Sequence, residues 1–128
     1  MKMTKGLIKA DIIASQQAID YYDNHNIKDI KNVAAYHLQQ ASEKLIKYQI
    51  YRNLSNTNNK QMYTHDLRKL KDYAESEGIK LVIPEYIKNH LDSITDWEAG
   101  SRYDTDFTVR IDTVKRVYEA VGDWIKRV

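Results

Sequence analysis

The chain has 128 residues, a length typical of a single domain that buries a sizeable core. Hydrophobic residues make up 42% and charged residues 30%, which excludes an intrinsically disordered chain, and the formal net charge of +2 excludes nucleic-acid binding through bulk charge. Cysteine is missing, so disulfides and thiolate chemistry are excluded, and no apolar run has the length of a signal peptide or a membrane span. We expect a cytoplasmic protein with one domain over residues 1–128.

Four glycines, one proline and few alternating β-branched runs indicate an all-α fold. The first predicted helix covers about residues 4–23 and ends at a turn over residues 24–26. Its predicted apolar face consists of Leu7, Ile8, Ala14, Ala18, Ile19, Tyr21 and Tyr22.

The second predicted helix, over about residues 28–54, carries the strongest pattern in the chain. Its predicted buried face consists of Ile30, Val33, Ala34, His37, Leu38, Ala41, Leu45 and Tyr48. A second stripe of Ala35, Ser42 and Ile46 offers close approach to another helix. Between the two faces runs a polar edge formed by Tyr36, Gln40, Lys44, Lys47 and Tyr51. A helix with two packing faces is predicted to lie at the centre of the fold.

Three more helices are predicted in the second half of the chain. After a polar loop over residues 55–60, Thr64 is expected to cap a short helix that ends near Gly78. Pro84 suits the first turn of the next helix, which leads to a loop over residues 99–104. The last helix is expected to begin at residue 105 or 106 with Arg110 inside its apolar stripe, which consists of Val114, Val117, Val121, Trp124, Ile125 and Val128. Together these elements predict an up-and-down bundle of about five helices.

Several common sites are excluded by spacing. The glycines at positions 6, 78, 100 and 122 cannot form a phosphate-binding glycine loop. No glutamate is followed three residues later by histidine, and no histidine pair has the spacing of metal ligands on a helix. We therefore expect neither a metal site nor a bound cofactor.

Two histidines are candidate site residues, each with two interpretations. His37 is either a hydrogen-bonded, largely buried residue beside Lys44, or part of a polar pocket with Gln40. His65 lies between Thr64 and Asp66. A role as helix cap explains Thr64, and a position in the first helical turn explains the acidic Asp66. No structural role explains His65, so it is either a surface residue or a group that points into a cleft.

Arg102 and Tyr103 form the third candidate. Arg102 either pairs with Glu98 or Asp104, or binds a phosphate while Tyr103 stacks a base. Combined with Gln40, Lys44 and Lys47 on the polar edge, and with His65, these residues predict a site for an anionic ligand, most simply a nucleotide.

Three segments carry a family resemblance: AAYHLQQASEKLIK at residues 34–47, THDLRKL at residues 64–70 and SRYD at residues 101–104. They resemble the HEPN domain (higher eukaryote and prokaryote nucleotide-binding). In that family the central helix carries a pattern like A-x-F/H-x-x-Q-Q-A-x-E-K-x-x-K, followed by T-H-x-L and a turn like R-Y-P. Asp104 departs from the pattern, since the family often has proline there.

The resemblance implies a helical bundle that commonly dimerises and is often encoded beside, or fused to, a minimal nucleotidyltransferase as a toxin–antitoxin-like pair. The ten tyrosines and two tryptophans also favour a homodimer, because aromatic residues are enriched at interfaces. We therefore expect a non-catalytic domain that binds a nucleotidyltransferase partner and a nucleotide.

Many family members are metal-independent ribonucleases that use an arginine followed, after four to six residues, by a histidine. No arginine of this chain has a histidine in that window. Catalysis is therefore not expected, and RNA is not the favoured partner. Two alternatives stay open: an RNA-cleaving domain with a displaced catalytic set such as His65 with Arg102, and a purely structural helical adaptor.

Overall fold

A computed structural model describes residues 3–103 and 106–128, without the side chains of residues 102 and 103. Over these residues the chain is helical and contains no strand, which confirms the all-α prediction. The helices are α1 (Lys5–His25), α2 (Lys28–Asn53), α3 (Asn59–Met62), α4 (Leu67–Ser76), α5 (Glu85–Lys88), α6 (Leu91–Tyr103) and α7 (Ile111–Arg127). The five longer helices correspond in order to the five expected, and α3 and α5 are single turns of four residues.

Helix α2 lies at the centre of the bundle, where it packs against α1, α4, α6 and α7. The predicted second stripe of Ala35, Ser42 and Ile46 is fully inaccessible. Of the predicted buried face, four residues are buried and three are half-buried: Ala34, Leu38, Ala41 and Leu45, and Ile30, His37 and Tyr48. Val33 was wrongly assigned to the buried face, because its side chain is 45% exposed. It stands seven residues before Gln40, two helical turns along the same line, so it shares the exposed edge.

The buried face of α1 differs from the one predicted. Its buried residues follow a regular helical spacing and include two polar side chains: Ile8, Asp11, Ser15, Ala18 and Ile19. Leu7 and Tyr21 are instead 45% and 46% exposed. The prediction placed the helix face by hydrophobicity, whereas the structure turns α1 so that Asp11 faces α2.

Helix α4 begins with a different cap from the one expected. The side chain of Asp66 accepts hydrogen bonds from the backbone N–H groups of Arg68 and Lys69, so Asp66 is the N-cap. Thr64 accepts from the N–H of Asp66 and closes the preceding turn. Gly78 follows the helix with φ of 76°, which confirms its predicted role as the terminating residue.

The predicted loop over residues 99–104 is largely helix, because α6 extends to Tyr103 and only residue 104 lies outside the described part. Gly100 lies inside α6 because the Phe107 ring packs so closely against it that a side chain at this position would collide with the ring. Helix α7 begins at Ile111, later than predicted, and Arg110 is its exposed N-cap. Arg110 therefore lies outside the buried stripe, which contains Val114, Val117, Val121 and Trp124.

Candidate functional site

A buried carboxylate on α1 holds two side chains of the central helix. Asp11 is 8% exposed, and its Oδ1 accepts a hydrogen bond from His37 Nδ1 at 2.9 Å. Its Oδ2 accepts from Lys44 Nζ at 2.6 Å. Burial raises the pKa of the Asp11 carboxyl, but the hydrogen bonds and positive charges of His37 and Lys44 outweigh burial and lower the pKa overall. Asp11 thus fixes the positions of two predicted site residues.

A second buried carboxylate, that of Glu43, binds Lys47 of the polar edge and His65 of the loop before α4. Its Oε1 accepts from His65 Nδ1 at 2.8 Å and from Gln39 Nε2 at 3.2 Å. Its Oε2 accepts from Lys47 Nζ at 2.8 Å. The Glu43 side chain is 7% exposed, whereas that of His65 is 59% exposed. A solvent-accessible imidazole is therefore oriented through Nδ1 by a buried carboxylate, which leaves Nε2 on the side away from Glu43.

The two consecutive glutamines of α2 connect this cluster. Gln39 is fully buried and donates through Nε2 to the backbone carbonyl of His65 at 3.0 Å as well as to Glu43. Its Oε1 accepts from Gln40 Nε2 at 2.8 Å. His65 Nε2 also lies 3.8 Å from Oε1 of Glu98 on α6, which is buried. The Gln-Gln pair thus ties the loop before α4 to the central helix.

A cavity of about 430 Å³ opens along the polar edge of α2. Its volume is within the range of small-molecule sites. It is lined by Met3, Gln40, Glu43, Lys44, Lys47, Tyr51, Asn59, Met62 and Tyr63. Three of the predicted site residues, Gln40, Lys44 and Lys47, therefore meet in one cavity.

His37 and His65 are not among the cavity-lining residues. They are hydrogen-bonded to Asp11 and to Glu43 respectively. A larger and more open groove of about 640 Å³ shares Met3 and Tyr51 with the cavity but contains neither histidine and no carboxylate. The smaller cavity is the better candidate site because it adjoins the carboxylate network.

Two predicted site residues, Arg102 and Tyr103, end helix α6, and their side chains lie outside the described part of the structure. The sequence analysis missed Asp11 and Glu43, which organise the site. A signal for Asp11 existed, since it stands three residues after Ile8 and seven before Ala18, in register with buried positions of α1.

Among the described histidine, aspartate and glutamate side chains, no group of three could hold a metal ion. Within the described residues, none of the helices has the length and apolar character needed to cross a membrane.

The sequence of the chain matches a known protein family. A sequence model of the HEPN domain matches residues 14–128, which include the whole of α2 and everything after it. Neither a curated protein nor a solved structure matches the chain. The matched region contains the Gln-Gln pair, both lysines and both histidines of the cluster described above. The chain belongs to the HEPN domain family.

Proposed function

We propose that this HEPN domain is a non-catalytic module that binds a nucleotide in the cavity beside α2. The observation that supports the proposal is that one cavity of about 430 Å³ is lined by Gln40, Lys44, Lys47 and two tyrosines. Such a cavity combines cationic donors for a phosphate with aromatic rings for a base, the two features that mononucleotide recognition requires.

The two lysines are held in place before any ligand arrives. Lys44 is bonded to Asp11 and Lys47 to Glu43, and the side chains are only 24% and 14% exposed. Each ammonium has three donors, of which the described contacts use one. The remaining donors are available to a phosphate at little cost in side-chain entropy.

Tyr63 and Tyr51 supply the aromatic part of the cavity. Tyr63 is 90% exposed, far more than any other large apolar side chain in the described part of the chain. A tyrosine with this exposure contributes little to folding and presents a free ring face. Stacking of a base on such a ring contributes about 1–3 kcal/mol.

The charge balance of the cavity favours a ligand with few phosphates. Asp11 and Glu43 neutralise the two lysines, so the cluster has no excess positive charge to hold a triphosphate. We therefore expect a nucleoside monophosphate to bind at least as tightly as the corresponding triphosphate. Arg102 and Tyr103 are proposed to contribute from the end of α6.

Calorimetric titration with AMP, GMP and ATP tests the proposal. Tyr63→Ala should weaken binding by roughly 5- to 100-fold through lost stacking. Tyr21→Ala, which removes a 46% exposed tyrosine outside the cavity lining, should leave binding unchanged. Arg102→Ala should weaken binding if Arg102 holds the phosphate. Absence of binding at millimolar nucleotide, or equal effects of the two tyrosine variants, would contradict the proposal.

We also propose that the domain works as a homodimer and as the partner of a minimal nucleotidyltransferase in a toxin–antitoxin-like pair. Membership of the HEPN family and the exposed apolar side chains of α1 support this. Co-purification with a nucleotidyltransferase encoded beside the gene would test the partnership. Failure of the two proteins to associate would contradict it.

RNA cleavage is the second candidate function, and one observation favours it. The His65 imidazole is exposed and is oriented by Glu43, as a general base often is. We nevertheless expect no cleavage, because no arginine stands four to six residues before a histidine. Metal-independent RNA cleavage that His65→Ala abolishes would establish the second candidate and reject the non-catalytic one. A purely structural adaptor would neither cleave RNA nor bind nucleotides.

A further inference from the structure

The connection between α4 and α5 carries an extended segment that is fastened to the bundle on one side. Residues 79–84 run without a turn or bend. The N–H of Val82 donates to Gln49 Oε1 at 2.8 Å, and its carbonyl accepts from Gln49 Nε2 at 3.0 Å. The indole N–H of Trp124 donates to the same carbonyl at 2.6 Å. The side-chain amide of Gln49 on α2 therefore makes the two hydrogen bonds with Val82 that a neighbouring strand would make.

The opposite side of this segment has free backbone groups. In an extended chain the N–H and C=O groups of successive residues point to opposite sides. Since those of Val82 point to α2, those of Leu81 and Ile83 point away from it. The hydrogen bonds of the described residues include none to these four groups. Such a row is a template for pairing with another extended chain.

Leu81 and Ile83 also line a basic cleft of about 420 Å³. Lys71 pairs with Glu75 at 2.5 Å, which leaves the charges of Lys80 and Lys88 without a carboxylate partner in the cleft. Both of these lysines are exposed. The apolar part of the lining is formed by Ile79, Leu81 and Ile83. The cleft thus combines an apolar floor with an excess of positive charge.

From this geometry we propose that residues 80–83 bind an extended, acidic peptide segment of a partner protein by β-strand pairing. The free groups of Leu81 and Ile83 form the backbone hydrogen bonds, and Lys80 and Lys88 select acidic side chains. A nucleic acid would satisfy the charges but not the alternating backbone donors and acceptors, so a peptide is favoured. The site does not depend on the nucleotide cavity.

Fluorescence anisotropy with a labelled peptide of about seven residues, in which Glu alternates with Val, tests the proposal. Binding should be saturable and should weaken as salt is added. The double variant Lys80→Glu/Lys88→Glu should weaken binding by about tenfold. The double variant Lys9→Glu/Lys126→Glu, at two exposed lysines outside this cleft, is the matched control and should have little effect. A peptide N-methylated at alternate residues, on the edge that pairs with residues 80–83, should lose most of its affinity, because that edge can no longer donate backbone hydrogen bonds.

Nuclear magnetic resonance gives a readout at the individual amides. Peptide should shift the amide resonances of Leu81 and Ile83 and slow their hydrogen exchange, while the Val82 amide, already bonded to Gln49, changes least. Lack of binding at millimolar peptide, equal affinity for the N-methylated peptide, or unshifted Leu81 and Ile83 amides would each overturn the proposal. Displacement of the peptide by an oligothymidylate of equal length would assign the cleft to nucleic acid instead and would also overturn it.

Discussion

At the scale of single residues, Glu43 is a buried carboxylate that contacts three other side chains of the site. It accepts hydrogen bonds from Gln39, Lys47 and His65, and so connects the central helix to the loop before α4. Removing a buried carboxylate leaves its former donors without a partner, and that cost exceeds the net contribution of the intact pair.

Glu43→Ala is therefore expected to destabilise the fold by about 3 kcal/mol, because Lys47 loses its partner while its side chain is only 14% exposed. The measurement is urea unfolding followed by circular dichroism. Glu75→Ala is the matched control, since Lys71 and Glu75 form a pair with the same i,i+4 spacing at a carboxylate that is 56% exposed. The control should cost under about 1 kcal/mol. Equal losses in the two variants would show that burial of Glu43 does not matter.

The lowered pKa of Asp11 predicts a pH dependence of stability. Because the pKa is lower in the folded than in the unfolded chain, ionised Asp11 stabilises the fold above its ordinary value of 3.8, and this contribution is lost as pH falls through the folded-state pKa. Asp11→Asn should flatten the fall in unfolding free energy between about pH 2 and pH 5, measured by urea unfolding. Asp20→Asn, at an exposed position of α1, should retain the wild-type slope. The expectation fails if both variants keep that slope.

At the scale of helices, glycine has opposite roles in α6 and α7. A Cβ at position 100 would lie 2.5 Å from the ring of Phe107, whereas a Cβ at position 122 would meet nothing within 4 Å. The first glycine is therefore required by packing, and the second lowers helix stability without a packing benefit.

Gly100→Ala should destabilise the protein by about 1–3 kcal/mol, because the Phe107 ring or α6 must move to admit the methyl group. Gly122→Ala should stabilise it by about 0.5–1 kcal/mol through helix propensity. Thermal unfolding of both variants and the wild type measures the difference. A stabilising Gly100→Ala would mean that Phe107 is free to move aside.

At the scale of the whole molecule, several large apolar side chains other than Tyr63 lie on the surface. Five of them are 45% to 54% exposed: Leu7, Ile13, Tyr21, Ile27 and Val33. Three of these, Leu7, Ile13 and Tyr21, belong to α1. Exposed large apolar side chains are available for contact with another molecule, and we expect those of α1 to contribute to a dimer interface.

We expect sedimentation equilibrium to give about twice the 15.1 kDa mass of the chain. Ile13→Glu should shift the equilibrium to the monomer, because it places a charge on the most exposed of the α1 side chains. Tyr63→Ala should leave the mass unchanged, since Tyr63 lines the nucleotide cavity and not the α1 face. A monomer at about 0.1 mM wild-type protein would contradict the homodimer.

The helices and the centre of the fold follow from local patterns in the sequence. Helix α2 was predicted within one residue of its observed ends, because propensity and the spacing of Ala34, Leu38 and Leu45 are local properties. The motif around Gln39 and Gln40, together with the segments at residues 64–70 and 101–104, likewise identified the family. Gln40, Lys44 and Lys47 were predicted as one edge because helical geometry places them there.

The burial of the polar groups and their hydrogen-bond partners depend instead on how the helices pack against one another. Asp11 is buried and Asp20 is exposed on the same helix, because burial depends on which side of α1 meets α2. The pairing of His65 with Glu43 joins residues 22 positions apart, and the Val82–Gln49 contact joins residues 33 positions apart. Such contacts form only when the helices have packed, so their chemistry is a property of the bundle and not of any one segment.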